Sequence, residues 1–305
     1  MVPILTLRKT MRARILLASL LALPFAAVRA QAVWTVDRTP TLDVPGARAD
    51  GSVTFGYAAG ATRLANGSLL IADRAENGIR VIDAAGKLLR TIARAGDGPG
   101  EFQSMIWAGG CGADSMLVWD MRRRQASMIG ASGAVARQFP VPARDTAQVP
   151  YQFSCTRSGA MVYLSAPRPI RDATPSKDPN VRAVTAAVYR VAADGAVTLR
   201  LGEIPAGEML AMVFPPGGRG GAMRPLGRAA SVAAVGNDVV IGSADSAIVT
   251  IVRDDGTRNQ VHIPVLVRAP TRAEFDAAVQ ATAAMVPAQM RQTMITQLSV
   301  IPMPE

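Results

Sequence analysis

Four tight turns, closing on Gly86, Gly133, Gly195 and Gly256, recur between short apolar strands, and this repetition constrains the fold more than any other feature of the 305-residue chain. The first copy reads Ser68 to Asp73, then Gly78 to Asp83, the turn at Gly86, and Lys87 to Ile92. The second has Met116 to Asp120, Ala126 to Gly130, the turn Ser132-Gly133, and Val135 to Phe139. The third has Met161 to Ser165, Ala187 to Val191, the turn Asp194-Gly195, and Val197 to Leu201. The fourth has Val239 to Ser243, Ile248 to Val252, the turn Asp255-Gly256, and Arg258 to Ile263. Glycine supplies the positive φ that such hairpin turns demand. The turn glycines lie 47, 62 and 61 residues apart, so the unit is about 45 residues with insertions.

A unit of about 40 to 50 residues with four short strands is the size of a propeller blade. One such sheet cannot bury both faces alone, whereas radial packing against neighbours buries both and leaves only short edges. The expected fold is therefore all-β, a β-propeller of four-stranded blades near 59–102, 105–148, 151–207 and 229–270. The alternative is a sandwich of irregular strands, which repeats its turns less regularly.

Three segments depart from the repeat. Ala166 to Ala186, rich in Pro and Arg, and Pro205 to Pro225, rich in Gly and Met, exceed ordinary hairpin loops and are expected as rim loops. Thr271-Arg272-Ala273-Glu274 is a capping box. With Phe275, Ala278, Val279 and Thr282 after it at helical spacing, and Met290, Met294, Ile295 and Leu298 beyond Pro287, it predicts a helical insertion over 271–298. Its apolar face is expected to pack on the sheets rather than to form a Met-rich partner groove.

The stretch Gly96-Asp97-Gly98-Pro99-Gly100-Glu101-Phe102 follows a unit containing Asn66-Gly67, Ile71-Ala72-Asp73, Ile79-Arg80-Val81-Ile82-Asp83 and Gly86-Lys87-Leu88. Together these resemble the connector and blade of six-bladed propellers related to the NHL repeat. Gly98, Pro99, Gly100, Glu101 and Phe102 are the structural connector. In six-bladed relatives an N-terminal strand completes the last blade, a part that Val33 to Val44 would play. The resemblance thus implies a six-bladed type that stops about two C-terminal blades short, with a complete four- or five-bladed ring as the competing account.

Residues 1–32 form the expected signal peptide: Arg8, Lys9, Arg12 and Arg14, an apolar run from Ile15 to Val28, and the small residues Ala30 and Ala32 at the cleavage site. Met11 is an alternative start. The run is shorter than the roughly 20 residues a bilayer needs, so no membrane span is expected after cleavage, and residues 33–305 are expected in the periplasm or secreted. Setting aside the five basic residues that precede Asp37 turns a net charge of +10 into +5, with 28 basic and 23 acidic side chains left. That surplus, without a basic helix, argues against nucleic acid as partner. Arg122-Arg123-Arg124 is the one basic cluster, read as a solvated turn.

Cys111 and Cys155 are the only cysteines, eight residues before Trp119 and Tyr163 respectively. That spacing places both on innermost strands of consecutive units, and export makes them a disulfide candidate, with two buried thiols as the alternative. His262 is the only histidine, which leaves out a multi-histidine zinc site and with it the amidating-lyase chemistry of NHL propellers. No Gly-x-Ser-x-Gly elbow accompanies it. Asp73, Asp83, Asp120, Asp194 and Asp255 stand at strand ends and turns, where aspartate bonds the local backbone. No catalytic, cofactor or metal residue is assigned. The sequence therefore points to a binding protein for a protein or small-molecule ligand at the rim loops. The competing readings are a hydrolase or lactonase with a carboxylate-held metal, and a truncated product.

Overall fold

The computed structural model describes residues 37–44, 55–141, 149–170, 180–196, 198–214, 216–244, 246–264 and 268–304. The signal peptide and residues 33–36 lie outside them. The chain divides into two units, Met1–Thr41 and Leu42–Glu305. In the first, the Thr39 amide donates to Asp37 Oδ1 at 3.1 Å in a short Asx turn. The expected strand Val33 to Val44 does not form over its described part: residues 37–44 are irregular. Leu42 and Val44 instead rest against Gly86, where a Cβ would meet their methyl groups at 3.1 and 3.4 Å.

The second unit is mostly β, with four antiparallel sheets and two C-terminal helices. Sheet 1 holds β1 (Ala58–Arg63), β2 (Leu69–Asp73), β3 (Gly78–Ile82) and β4 (Leu88–Ala95), with the two-residue β5 (Glu101–Phe102) parallel to β4. Sheet 2 holds β6 (Met105–Gly110), β7 (Ser115–Asp120), β8 (Gln125–Gly130) and β9 (Val135–Pro140). Sheet 3 holds β10 (Pro150–Cys155), β11 (Met161–Ser165), the short β12 (Arg168–Pro169), β13 (Val181–Val191), β14 (Thr198–Phe214) and β15 (Gly218–Met223). Sheet 4 holds β16 (Ala230–Val235), β17 (Asp238–Ser243), β18 (Ile248–Val252) and β19 (Arg258–His262).

The repeat survives at atomic detail. The four turn glycines share φ between 76° and 86°. In each sheet the residue after the second strand donates its amide to the residue just before the first: Arg74 to Tyr57, Met121 to Ser104, Ala166 to Val149 and Ala244 to Ala229, at 2.7–2.9 Å. Successive inner hairpins are tied together by Ala65 N–H to Asp114 Oδ1 (2.8 Å), Gly112 N–H to Thr156 O (3.3 Å) and Arg157 N–H to Gly236 O (2.7 Å).

Burial follows the same series. Leu70, Ile79 and Phe102 of sheet 1 meet Met105, Met116 and Val118 of sheet 2. Leu117 and Trp119 meet Phe153, Met161 and Tyr163 of sheet 3. Val162, Leu164 and Val188 meet Val232, Val239 and Ile241 of sheet 4. The alternating pattern of each strand thus feeds two successive interfaces, which is why these strands read as nearly continuous apolar runs.

The third sheet departs from expectation. Its third strand begins at Val181, not Ala187, and its fourth runs 17 residues to Phe214. Pro205 to Pro225 is therefore not a rim loop over its length: β14 and β15 pair from Met209–Met223 to Phe214–Gly218. Of the Ala166 to Ala186 segment, residues 171–179 lie outside the described part. The β14–β15 ribbon provides the surface on which α1 (Arg272–Ala284) and α2 (Ala288–Ser299) pack. Leu210, Met212 and Phe214 alternate onto one face and meet Phe275, Val279, Met294 and Leu298. The Thr271–Glu274 capping box is formed, and Pro287 stands at the start of α2 without a side-chain hydrogen bond. Among the described residues no helix is long and apolar enough to cross a membrane.

Candidate functional site

The strand-end aspartates act on the backbone. Asp73, fully buried at the end of β2, accepts from the amides of Gly56, Tyr57 and Ala75, each at 3.0 Å, and from Arg80 Nη1 at 2.8 Å. Burial alone would raise its pKa, but the amides of Tyr57 and Gly56, then Arg80 and Ala75, hold the carboxyl below the ordinary value. Asp120 repeats this at the end of β7, accepting from Gln103, Ser104, Arg122 and Arg123 amides at 2.7–3.2 Å. Asp83 caps the turn that follows it, and Asp255, inside its own turn, accepts from the Thr257 amide. Among the described residues no three His, Cys, Asp or Glu side chains gather where they could hold a metal ion.

The connector is held by its own glutamate. Glu101 accepts from the Gly98 amide and from Arg94 Nε, both at 2.8 Å, and these two donors, in that order, lower its pKa. Phe102 is buried between sheets 1 and 2, and Arg123 donates to the carbonyls of Glu101 and Asp97 at 3.0 Å. The middle member of the basic cluster is thus structural, whereas Arg122 and Arg124 are exposed. His262 ends β19 and is exposed.

Cys111 and Cys155 form a disulfide, with Cα atoms 5.0 Å apart. They are one residue out of register rather than at equivalent positions. Cys111 opens its hairpin by donating to Ser115 O, and the residue that does so in sheet 3 is Thr156, donating to Ala160 O.

Two concave surfaces stand out among the described residues. A groove of about 630 Å³ lies on the face of sheet 4 turned away from sheet 3, with Leu226, Ile248, Val249 and Ile263 as apolar walls and Arg228 and Arg268 among its cations. Leu226 and Ile263 are each more than 40% exposed, so this apolar surface is open to solvent. A smaller cavity of about 230 Å³ sits between sheets 2 and 3 and is lined by Trp119, Met121, Arg124, Val141, Val149 and Pro150. Sequence reasoning identified neither: the smaller cavity is assembled from residues of separate repeats, and the groove adds the connector residues Leu226 to Arg228 and Pro304 to sheet 4. The available signal was a pair of departures from the repeat at Arg124 and Pro150.

No protein-family model matches the chain, and no curated protein matches it. Among solved structures it is similar to virginiamycin B lyase from Staphylococcus aureus, at 12% identity over 69% of this chain and 85% of that one, with a TM-score of 0.30. A gluconolactonase from Xanthomonas campestris is similar at 14% identity over 70% and 79%, with a TM-score of 0.31. PorZ, a surface component of the type-IX secretion system of Porphyromonas gingivalis, is similar at 11% identity over 72% and 23%, with a TM-score of 0.34. At such TM-scores none of these likenesses bears on what this chain does.

Proposed function

We propose that this chain is an exported, non-catalytic binding protein of the propeller type, with its ligand surface on the open face of sheet 4. The observation that carries this reading is the commitment of the strand-end carboxylates. Asp73 and Asp120, which a carboxylate-held metal or an acid/base pair would need free, each gather four donors from the protein itself. The 630 Å³ groove offers apolar walls instead, a lining suited to holding a ligand rather than activating water. Export accords with the Cys111–Cys155 disulfide.

The test uses the secreted chain. N-terminal sequencing is expected to give Val33, elemental analysis to give no stoichiometric metal, and lactone hydrolysis to be unaffected by chelator. An apolar anilinonaphthalene sulfonate is expected to bind saturably, and Val249→Glu to weaken it. Chelator-sensitive hydrolysis with one bound metal per chain would overturn the proposal in favour of a lactonase.

A further inference from the structure

Each of the first three sheets turns one face toward the next sheet, and four repeated positions build that face. Two stand on the second strand: Leu70, Leu117, Val162 and Val240 in sheets 1 to 4, then Ala72, Trp119, Leu164 and Gly242. Two stand on the third strand: Ile79, Ala126, Val188 and Val249, then Val81, Met128, Arg190 and Ile251. In sheets 1 to 3 every one of these residues except Arg190 is at most 8% exposed and packs against the following sheet. Arg190 also serves that contact, through its bond to Asp254 of sheet 4 at 2.6 Å. In sheet 4 the same positions, Val240, Gly242, Val249 and Ile251, are half-exposed.

Strand pairing lays two rows across this face, Ala233–Val240–Ile251–Asn259 and Ser231–Gly242–Val249–Val261, and neither contains a charged side chain. Val235 and Val261, 65% and 45% exposed, carry the apolar surface to its edges. The Arg253–Asp238 ion pair closes one end at 2.8 Å, and the groove lies at the other. A contiguous apolar surface of this kind marks an interaction site. The face of sheet 1 that would mate with it in a head-to-tail assembly is already buried. It carries Arg80 and Ile82, 9% and 0% exposed, with the Phe55 ring 5.2 Å from the guanidinium and Asp73 bonded to it at 2.8 Å. A second copy adding to the series would have to expel that cover and strip a buried ion pair of its surroundings.

We propose that the open face of sheet 4 pairs with the same face of a second copy about a twofold axis. The proposal rests on the reading that this face is the binding surface, and it names the occupant. A face of small and β-branched side chains without charge is self-complementary, because neither copy brings an ion that the other must desolvate. Two such sheets pack face to face about 10 Å apart with their side chains interdigitated. Four strands of five residues span about 19 by 17 Å, a small contact beside the ~800 Å² per partner of a standard interface. The dimer is therefore reversible, with an expected Kd on the order of 10 µM.

Sedimentation velocity of the secreted chain, over about a hundredfold range of concentration around that Kd, reads the assembly directly. A monomer–dimer equilibrium that stops at the dimer is expected. Ile251→Lys, in the middle of the face and outside the groove lining, sets like charges against each other across the twofold axis and is expected to weaken the dimer about a hundredfold. Leu89→Lys, at a 53% exposed position of sheet 1, is the control and is expected to change nothing. If Ile251→Lys does not fold, Val261→Lys at the exposed edge of the same face takes its place. A monomer at every concentration, growth beyond the dimer, or a dimer indifferent to the lysine on sheet 4 refutes the proposal. Anilinonaphthalene sulfonate separates this from the reading beneath it. A monomer that still binds the dye, and loses it on Val249→Glu, overturns the dimer alone; a monomer that does not bind the dye overturns the binding surface as well.

Discussion

Replacing Asp73 by Asn tests whether the strand-end carboxylates hold the sheets together. The carboxylate Oδ1 accepts from Tyr57 and Ala75, and Oδ2 from Gly56 and Arg80. An asparagine can keep the first pair with its carbonyl, but its NH₂ then faces the Gly56 amide and the Arg80 guanidinium, donor against donor. Arg80 is 10% exposed, with the partly exposed Glu76 as its other carboxylate partner and the Phe55 ring 5.2 Å away. Losing one backbone bond and one charged bond at a buried position, with a guanidinium left half-paired, costs about 3–5 kcal/mol. Urea unfolding gives the difference directly as a shift in midpoint at unchanged slope. Asp83→Asn is the control: the half-buried Asp83 uses Oδ1 alone to accept from Ala85 and Lys87, so its cost is expected within about 0.5 kcal/mol. The Asp73 pKa is lower in the folded chain, so its contribution is complete above the ordinary aspartate value near 3.9 and is lost as pH falls through the folded one. The gap between wild type and variant should therefore narrow at low pH. A cost below about 1 kcal/mol, or a gap that does not narrow, refutes the clamp.

Removing the disulfide with Cys111→Ser and Cys155→Ser frees a 44-residue loop and is expected to cost about 4 kcal/mol in the chain-entropy model; thermal melts with and without reductant check it, and two free thiols in the native protein would contradict it. Gly195→Ala should be much worse than Gly256→Ala. Both have positive φ, but a Cβ at Gly195 meets the Phe139 side chain at 2.5 Å whereas at Gly256 it meets nothing; the latter is expected to cost only the left-handed strain of about 1–2 kcal/mol, and equal midpoints would count against the packing argument. Phe275→Ala, at a fully buried position between α1 and the β14 ribbon, is expected to cost about 3–5 kcal/mol. Hydrogen exchange should rise in α1 and α2 while sheets 1 and 2 stay protected.

The parts of the fold legible in the sequence were those fixed by local chemistry. The turn glycines, the aspartates at Asp73 and Asp120 and the Thr271–Glu274 box each act within a few residues of their own position. What was missed depends on partners far along the chain. Pro205, Gly207 and the glycines from Gly217 to Gly221 read as a connector, yet β14 runs through the first two and β15 holds most of the rest. Pro205 pairs at an irregularity of the β13–β14 register, and Gly207 makes a close bridge to Ala229 that a side chain would obstruct. The signal that outweighs them is the alternation of Leu210, Met212 and Phe214, a strand period whose meaning appears only when the helices covering it are known.

The strand-end residue also accounts for how the two halves of the stack differ. Asp73 and Asp120 are acceptors only, so each draws in backbone amides and closes a turn of four residues before the next strand. Ser165 and Ser243 stand in the corresponding places of sheets 3 and 4. A hydroxyl accepts less and can also donate. Ser165 takes the Ala187 amide at 3.0 Å, a bond to the third strand, and donates to the Ala166 carbonyl just after its own strand at 3.4 Å. Ser243 donates to Pro205 O at 2.8 Å, which ties sheet 4 to the long β14 of sheet 3. The Asp turns close sheets 1 and 2 each with donors from its own connector, and Arg123 and Asn77 join the two sheets. The Ser positions make sheets 3 and 4 depend on each other through β13 and β14, and β14 is the strand on which the ribbon and both helices are built. The bond from Ser243 to Pro205 thus fastens sheet 4 to the strand that carries the appendage.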